Sequence, residues 1–163
     1  MDWMGRQVVS SLVIASCLAF GCTTSGVALR ADGGPGPEKC SDKALEAMRI
    51  LRLRPGNTSM VYIDANQKSQ SPIILSEGPV ESHLRDDMGF LEATTRLYGQ
   101  IWTGGPTVII RYYEARPPDG DPIPICAVAR LGQGQMRTKP GPKPGTVELE
   151  FPVAGIYIVD GFR

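Results

Sequence analysis

Apolar positions along this chain change period twice. The chain opens on an unbroken apolar run, "VVSSLVIASCLAFG" (8–21), with no charge in it. The one stretch of helical spacing follows in "CSDKALEAMRILRL" (40–53), where Leu45, Met48 and Leu51 make a narrow apolar stripe. Glu46, Arg49 and Arg52 fall on its wet side, Ser41 or Asp42 can cap its start, and "RPG" (54–56) stops it. A helix this short needs a surface to lie on.

From residue 59 the period is two, the mark of strands. "SMVYIDA" (59–65), "PIILSEG" (72–78) and "PVESHLR" (79–85) are candidate strands, the last two broken at Gly78 and Pro79. "TTRLYGQIWT" (94–103) alternates well: Leu97, Gly99 and Ile101 point one way; Arg96, Tyr98, Gln100 and Trp102 point the other. "GGP" (104–106) turns the chain into "TVIIRYYEAR" (107–116), rich in β-branched and aromatic residues. The two form a hairpin. "PPDGD" (117–121) is the next turn, and "PIPICAVARL" (122–131) the next strand. "GQGQMRTKPGPKPG" (132–145) reads as a long structureless loop. "TVELEF" (146–151) follows, with Val147, Leu149 and Phe151 inward, and "GIYIVDGF" (155–162) closes the chain. Eight short strands, one helix and frequent turns predict a mainly β fold: an antiparallel β-sandwich or barrel-like meander with one short N-terminal α-helix.

Composition agrees. The 163 residues include 19 Gly and 14 Pro, as a turn-rich β protein requires. Lys plus Arg balances Asp plus Glu at 17 each, which argues against a nucleic-acid binder.

The opening run is too short for a permanent transmembrane helix but fits the apolar region of an export signal. Its end, Leu18, Ala19, Phe20, Gly21, Cys22, resembles the lipobox of bacterial lipoproteins. The resemblance implies cleavage before Cys22 and lipidation of its thiol; "VIASC", ending at Cys17, fits the same pattern with a shorter apolar region. Thr23 stands where lipoproteins held at the inner membrane carry Asp, so the resemblance implies the outer membrane. Residues 1–21 are then the signal peptide, 22–39 a Gly/Pro-rich flexible tether, and 40–163 the folded domain. The membrane, through the lipid, is the first expected partner.

With the signal removed and Cys22 lipidated, Cys40 and Cys126 remain. In an oxidising compartment they form a natural disulfide pair. A catalytic thiol needs a base beside it, and His83 is the one histidine. A single His with a bonded Cys pair supplies no zinc site. "GQG" (132–134) lacks the spacing of a phosphate-binding loop, and "DGF" (160–162) has kinase letters in the wrong order. Asp86, Asp87, Asp119 and Asp121 read as turn residues. No catalytic residue, metal or cofactor is expected.

Two features are candidates for binding. Arg96, Tyr98, Gln100 and Trp102 share one strand face, suited to an envelope protein or polysaccharide; the competing arrangement has helix 41–53 covering Tyr98 and Trp102. The loop 132–145 carries Arg137, Lys139 and Lys143 and is either an anion contact or plain solvated chain. The hypothesis they serve is an outer-membrane-anchored lipoprotein whose non-enzymatic β domain binds a partner or has an envelope structural role. The alternative is an envelope carbohydrate-binding or hydrolytic enzyme, with His83 near Asp86 or Asp87.

Finally, "CSDKALEAM" (40–48), "ILSEGPV" (74–80) and "LYGQIWTGGPTVIIRYYEARPPDGDPIPIC" (97–126) resemble a group of small exported lipoproteins of myxobacterial type. Ser76 replaces an Arg of that pattern and Ile125 a Val. The resemblance implies export, a β-rich fold and the Cys40–Cys126 bond, and no named activity.

Overall fold

The structure is a computed structural model that describes residues 26–131, 134 and 136–163. The apolar run 8–21, Cys17 and Cys22 lie outside the described residues. In chain order the elements are β1 (Glu38–Lys39), α1 (Asp42–Ile50), β2 (Thr58–Tyr62), β3 (Ile73–Ser76), β4 (Gly78–Leu84), β5 (Arg96–Trp102), β6 (Thr107–Arg116), β7 (Ile123–Arg130), β8 (Met136–Arg137), β9 (Thr146–Leu149), β10 (Val153–Ile158) and β11 (Gly161–Phe162).

The fold is mainly β with one short helix, and of the two expected architectures it is the barrel. Six antiparallel strands run in the order β5-β4-β2-β10-β7-β6, and β6 pairs back with β5. Closure leaves these strands no open edge. A bulge helps the long β6 to bend round: Tyr98 opposes Glu114 while Gly99 opposes Tyr112, so Tyr113 is the extra residue. Both Tyr113 and Glu114 then face outward, and the inward set resumes at the buried Ala115.

Side chains fill the interior, as in any barrel this narrow. Val61, Leu84, Leu97, Ile101, Ile110, Ala127 and Ile156 are all buried there. Its polar pair is satisfied internally. The Ser82 hydroxyl donates to the Ile63 carbonyl at 2.5 Å and meets the Tyr112 hydroxyl at 2.8 Å. Burial pushes the pKa of Tyr112 up, so it stays protonated.

Outside the barrel, β3 pairs with β9, β1 with β11, and β8 with the start of β6. Helix α1 packs on β7. Ser41 caps it, its hydroxyl accepting from the Ala44 N–H at 3.1 Å. The Cys40–Cys126 disulfide ties the helix start to the middle of β7. The Cys126 N–H donates to the Met48 sulfur at 3.3 Å.

Four expectations change. The buried helix positions are Ala44 and Met48, whereas Leu45 is 39 % exposed. A small residue at 44 lets the helix lie close on β7, and the disulfide fixes which side faces down. Phe151 is exposed, because β9 ends at Leu149 and its inward alternation stops there. The described part of loop 132–145 is not structureless: Met136 is buried and pairs with Val108, and Lys139 meets Glu148 at 2.5 Å. Most consequential, the described part of the expected tether is docked. Gly34, Pro35 and Gly36 are buried against the barrel, and Glu38 and Lys39 pair with Phe162 and Gly161.

Candidate functional site

The face carrying Arg96, Tyr98, Gln100 and Trp102 is on the outside of the barrel, but the four residues do different things. Arg96 is exposed, Tyr98 and Gln100 are half-buried, and Trp102 is only 4 % exposed. Helix α1 does not cover Trp102, since it lies on β7. The tryptophan instead faces the guanidinium of Arg111, 5.4 Å from its ring. Trp102 is therefore withdrawn from the expected binding face.

At the open end, strand register builds two cross-strand rows. Glu81, Tyr98 and Glu114 oppose one another across β4, β5 and β6; His83, Arg96 and Arg116 form the next row, with Tyr62 opposite His83 on β2. Like charges directly opposite repel. The acids of the neighbouring row offset this. Glu81 lies 3.7 Å from His83 and 3.5 Å from Arg96, and Glu114 lies 2.8 Å from Arg116. Arg116 also sits 5.0 Å over the Tyr98 ring. The Lys68 ammonium contacts Nδ1 of His83 and lies 6.0 Å from the Tyr62 ring. With Nδ1 accepting from Lys68, the imidazole is neutral. Its pKa lies below the ordinary value, first through burial, then through Lys68; Glu81 pulls the other way.

Opposite Gln100, two residues along β5 from Tyr98, is a buried arginine that sequence reasoning passed over. Arg111 faces outward from β6 yet is only 1 % exposed. Its guanidinium lies 4.9 Å from the Phe162 ring as well as facing Trp102. It donates to the carbonyls of Gly36 at 2.8 Å and Pro35 at 3.4 Å, and to Glu38 at 3.3 Å. The Tyr113 hydroxyl donates to the same Glu38 oxygen at 2.9 Å, and burial followed by that bond pushes its pKa up. Gly33, with φ +83°, lets the strap pass the hairpin turn: a Cβ there would meet the Gly104 carbonyl oxygen at 2.8 Å. Nothing in the sequence announced that residues 34–38 would cover Arg111.

Beside this buried group is a cleft of about 280 Å³ over the outer faces of β6, β7 and β10. Ile109, Val128, Tyr157 and Val159 help to form its floor, and Arg30, Arg130 and Arg163 also line it. Gly155 is needed here. The Tyr157 ring lies across it, so that a Cβ at 155 would meet a ring carbon at 3.0 Å. Arg130 in turn lies 5.7 Å over that ring.

The remaining candidates do not gather into a site. Asp86 pairs with Arg85 at 3.1 Å, and Asp87 accepts from the Ala93 N–H at 2.6 Å. Among the described residues no group of three His, Cys, Asp or Glu side chains is placed to hold a metal ion. Comparisons of the chain with family models, with curated proteins and with solved structures found no match.

Two predictions follow from these geometries. Arg111→Ala removes the donor of two carbonyls and the ion-pair partner of Glu38, which keeps the Tyr113 hydroxyl. Because Glu38 is 32 % exposed, the cost is discounted to about 2–3 kcal/mol. Urea unfolding reads it, and amide exchange should quicken more in residues 34–38 than in the barrel; a change below about 0.5 kcal/mol would refute the assignment. For His83, the pKa is lower folded than unfolded, so the unfolded chain takes up the proton first. Stability is full above the unfolded value near 6.5 and is lost as pH falls through the folded one. Thermal midpoints between pH 7.5 and 5 should fall less steeply for His83→Gln than for the natural chain; parallel curves would contradict this.

Proposed function

We propose that this chain is a lipoprotein of the bacterial envelope, anchored through Cys22 to the outer membrane, whose barrel is a non-enzymatic module that binds an envelope protein or polysaccharide. The observation that carries the binding reading is the outer face around Tyr98. Tyr62, Glu81, His83, Arg96, Tyr98, Glu114 and Arg116 lie there in cross-strand register, with charges balanced in pairs. Aromatic rings beside guanidinium groups are the residue types that recur in recognition surfaces.

The anchor rests on the lipobox-like "LAFGC" and on the resemblance to small myxobacterial lipoproteins. Hydrolysis of a sugar or ester needs a base and an acid converging on one cleft. Asp86 and Asp87 spend their oxygens on Arg85 and on a backbone N–H, and Glu81 is shared between His83 and Arg96. Those partners favour a recognition surface over a catalytic one.

Two measurements test the two halves. Cells fed radiolabelled palmitate should label the natural chain, and Cys22→Ser should abolish both label and membrane fractionation; label retained in Cys22→Ser would remove the anchor from that residue. For the binding face, a photo-crosslinking phenylalanine analogue in place of Tyr98 should yield envelope adducts in irradiated cells. The same analogue in place of Asp119, in the β6–β7 turn, should yield none. Equal yields at the two positions would dismiss the face.

A further inference from the structure

The cleft beside Arg111 is chemically unlike the balanced face around Tyr98. Its lining side chains include four arginines, Arg30, Arg111, Arg130 and Arg163, against a single carboxylate, Asp160. Arg111 is already committed to Glu38, and Arg30 lies 3.4 Å from Asp32 in a half-exposed pair. Among the described residues neither Arg130 nor Arg163 has a carboxylate partner within ion-pair distance. The floor is apolar, from Ile109, Val128 and Val159, and the Tyr157 ring lying on Gly155 holds Arg130 above it. The volume, about 280 Å³, is at the lower bound of small-ligand pockets, enough for one anionic group and little more. Guanidinium groups around an apolar floor match a phosphate ester, which accepts paired N–H bonds and carries an organic body.

The cleft also has a place relative to the chain start. Arg30, on its rim, is eight residues from Cys22. That much chain reaches at most about 28 Å when fully extended. Leu29 and Leu131, the sequence neighbours of the rim arginines Arg30 and Arg130, are 59 % and 50 % exposed. Exposed leucines next to arginines suit the boundary between headgroups and acyl chains. We infer that this cleft takes the phosphate of an anionic phospholipid headgroup and holds the barrel against the membrane surface. The choice of a lipid phosphate over a free one rests on the proposed anchor at Cys22; the affinity of the cleft for phosphate esters does not.

The test removes the anchor on purpose. The full chain with Cys22→Ser is titrated with vesicles of 30 % phosphatidylglycerol in phosphatidylcholine and with vesicles of phosphatidylcholine alone, at one ionic strength. Adding Arg30→Gln and Arg130→Gln should weaken binding to the anionic vesicles about 25-fold, from roughly fivefold for each arginine near such a surface. It should leave binding to the neutral vesicles unchanged. Lys43→Gln with Arg85→Gln removes the same charge outside the cleft and should keep the preference for anionic vesicles. Loss of that preference in both double variants, or in neither, would overturn the cleft as the site. If glycerol 3-phosphate shifts the Tyr157 ring resonances while anionic vesicles gain no preference, the lipid is the wrong source and the inference fails. Because Cys22 is absent throughout, failure of the anchor is read separately, in the palmitate experiment.

Discussion

The structure depends on one charge that cannot reach water. Arg111 sits on the outer face of a barrel strand, where most side chains are wetted, and yet it is buried. A guanidinium brought out of water is costly unless its N–H groups find acceptors. This one finds them in the backbone of residues 35 and 36 and in Glu38, and it faces both the Trp102 and the Phe162 ring. The acceptors and the Phe162 ring come from opposite ends of the described chain, while Trp102 comes from the neighbouring strand β5. Satisfying one arginine therefore folds the N-terminal strap and the C-terminal strand β11 down together, and the short β1–β11 pairing follows from their being held side by side.

The disulfide works on the same layer from the other side. Cys40 lies directly after β1, and Cys126 is in β7, so the bond fixes the strap's far end as well as the start of α1. Between Arg111 and Cys126 the chain from residue 34 to Met48 is held at both ends. In the chain-entropy account, a crosslink closing a loop of 86 residues removes on the order of 4–5 kcal/mol of freedom from the unfolded chain. These two ties act beside the buried Ala44, Met48 and Phe162, which pack the layer on the barrel. The barrel beneath relies instead on closure and on an interior filled by aliphatic side chains.

How much of this the sequence disclosed depends on the range of the interaction. The β6 strand was legible to the residue at 107–116, because β-branched and aromatic residues run without a break between two Gly/Pro turns. The helix was legible, but its buried side was not: period alone favours Leu45, and what selects Ala44 is a sheet that the helix sequence does not contain. Trp102 was placed on the correct side of its strand, and its burial was weighed with helix 41–53 as the cover; the helix lies on β7 instead, and the group facing the ring is Arg111 of the neighbouring strand. The strap was the largest miss. "ADGGPGPEK" has the composition of a linker, yet Arg111 uses its backbone carbonyls, and carbonyls leave no mark on composition. Glu38, the one side chain of the strap that carries the interaction, looks like any linker glutamate.

The docked strap changes what an anchor at Cys22 would mean. A flexible tether over residues 22–39 would let the barrel turn freely above the membrane. With residues 34–39 fixed on the barrel by Arg111 and β11, an anchor at Cys22 would draw the strap's own side of the barrel toward the lipid. That side bears the arginine-lined cleft, while the balanced face around Tyr98 runs along β4, β5 and the far end of β6. Arg111 and Tyr98 stand on the same pair of strands: Tyr98 opposes Glu114, and Arg111 opposes Gln100, two residues further along β5. One buried guanidinium thus borders two chemistries: the arginine-lined cleft beside the strap, and the charge-paired rows around Tyr98.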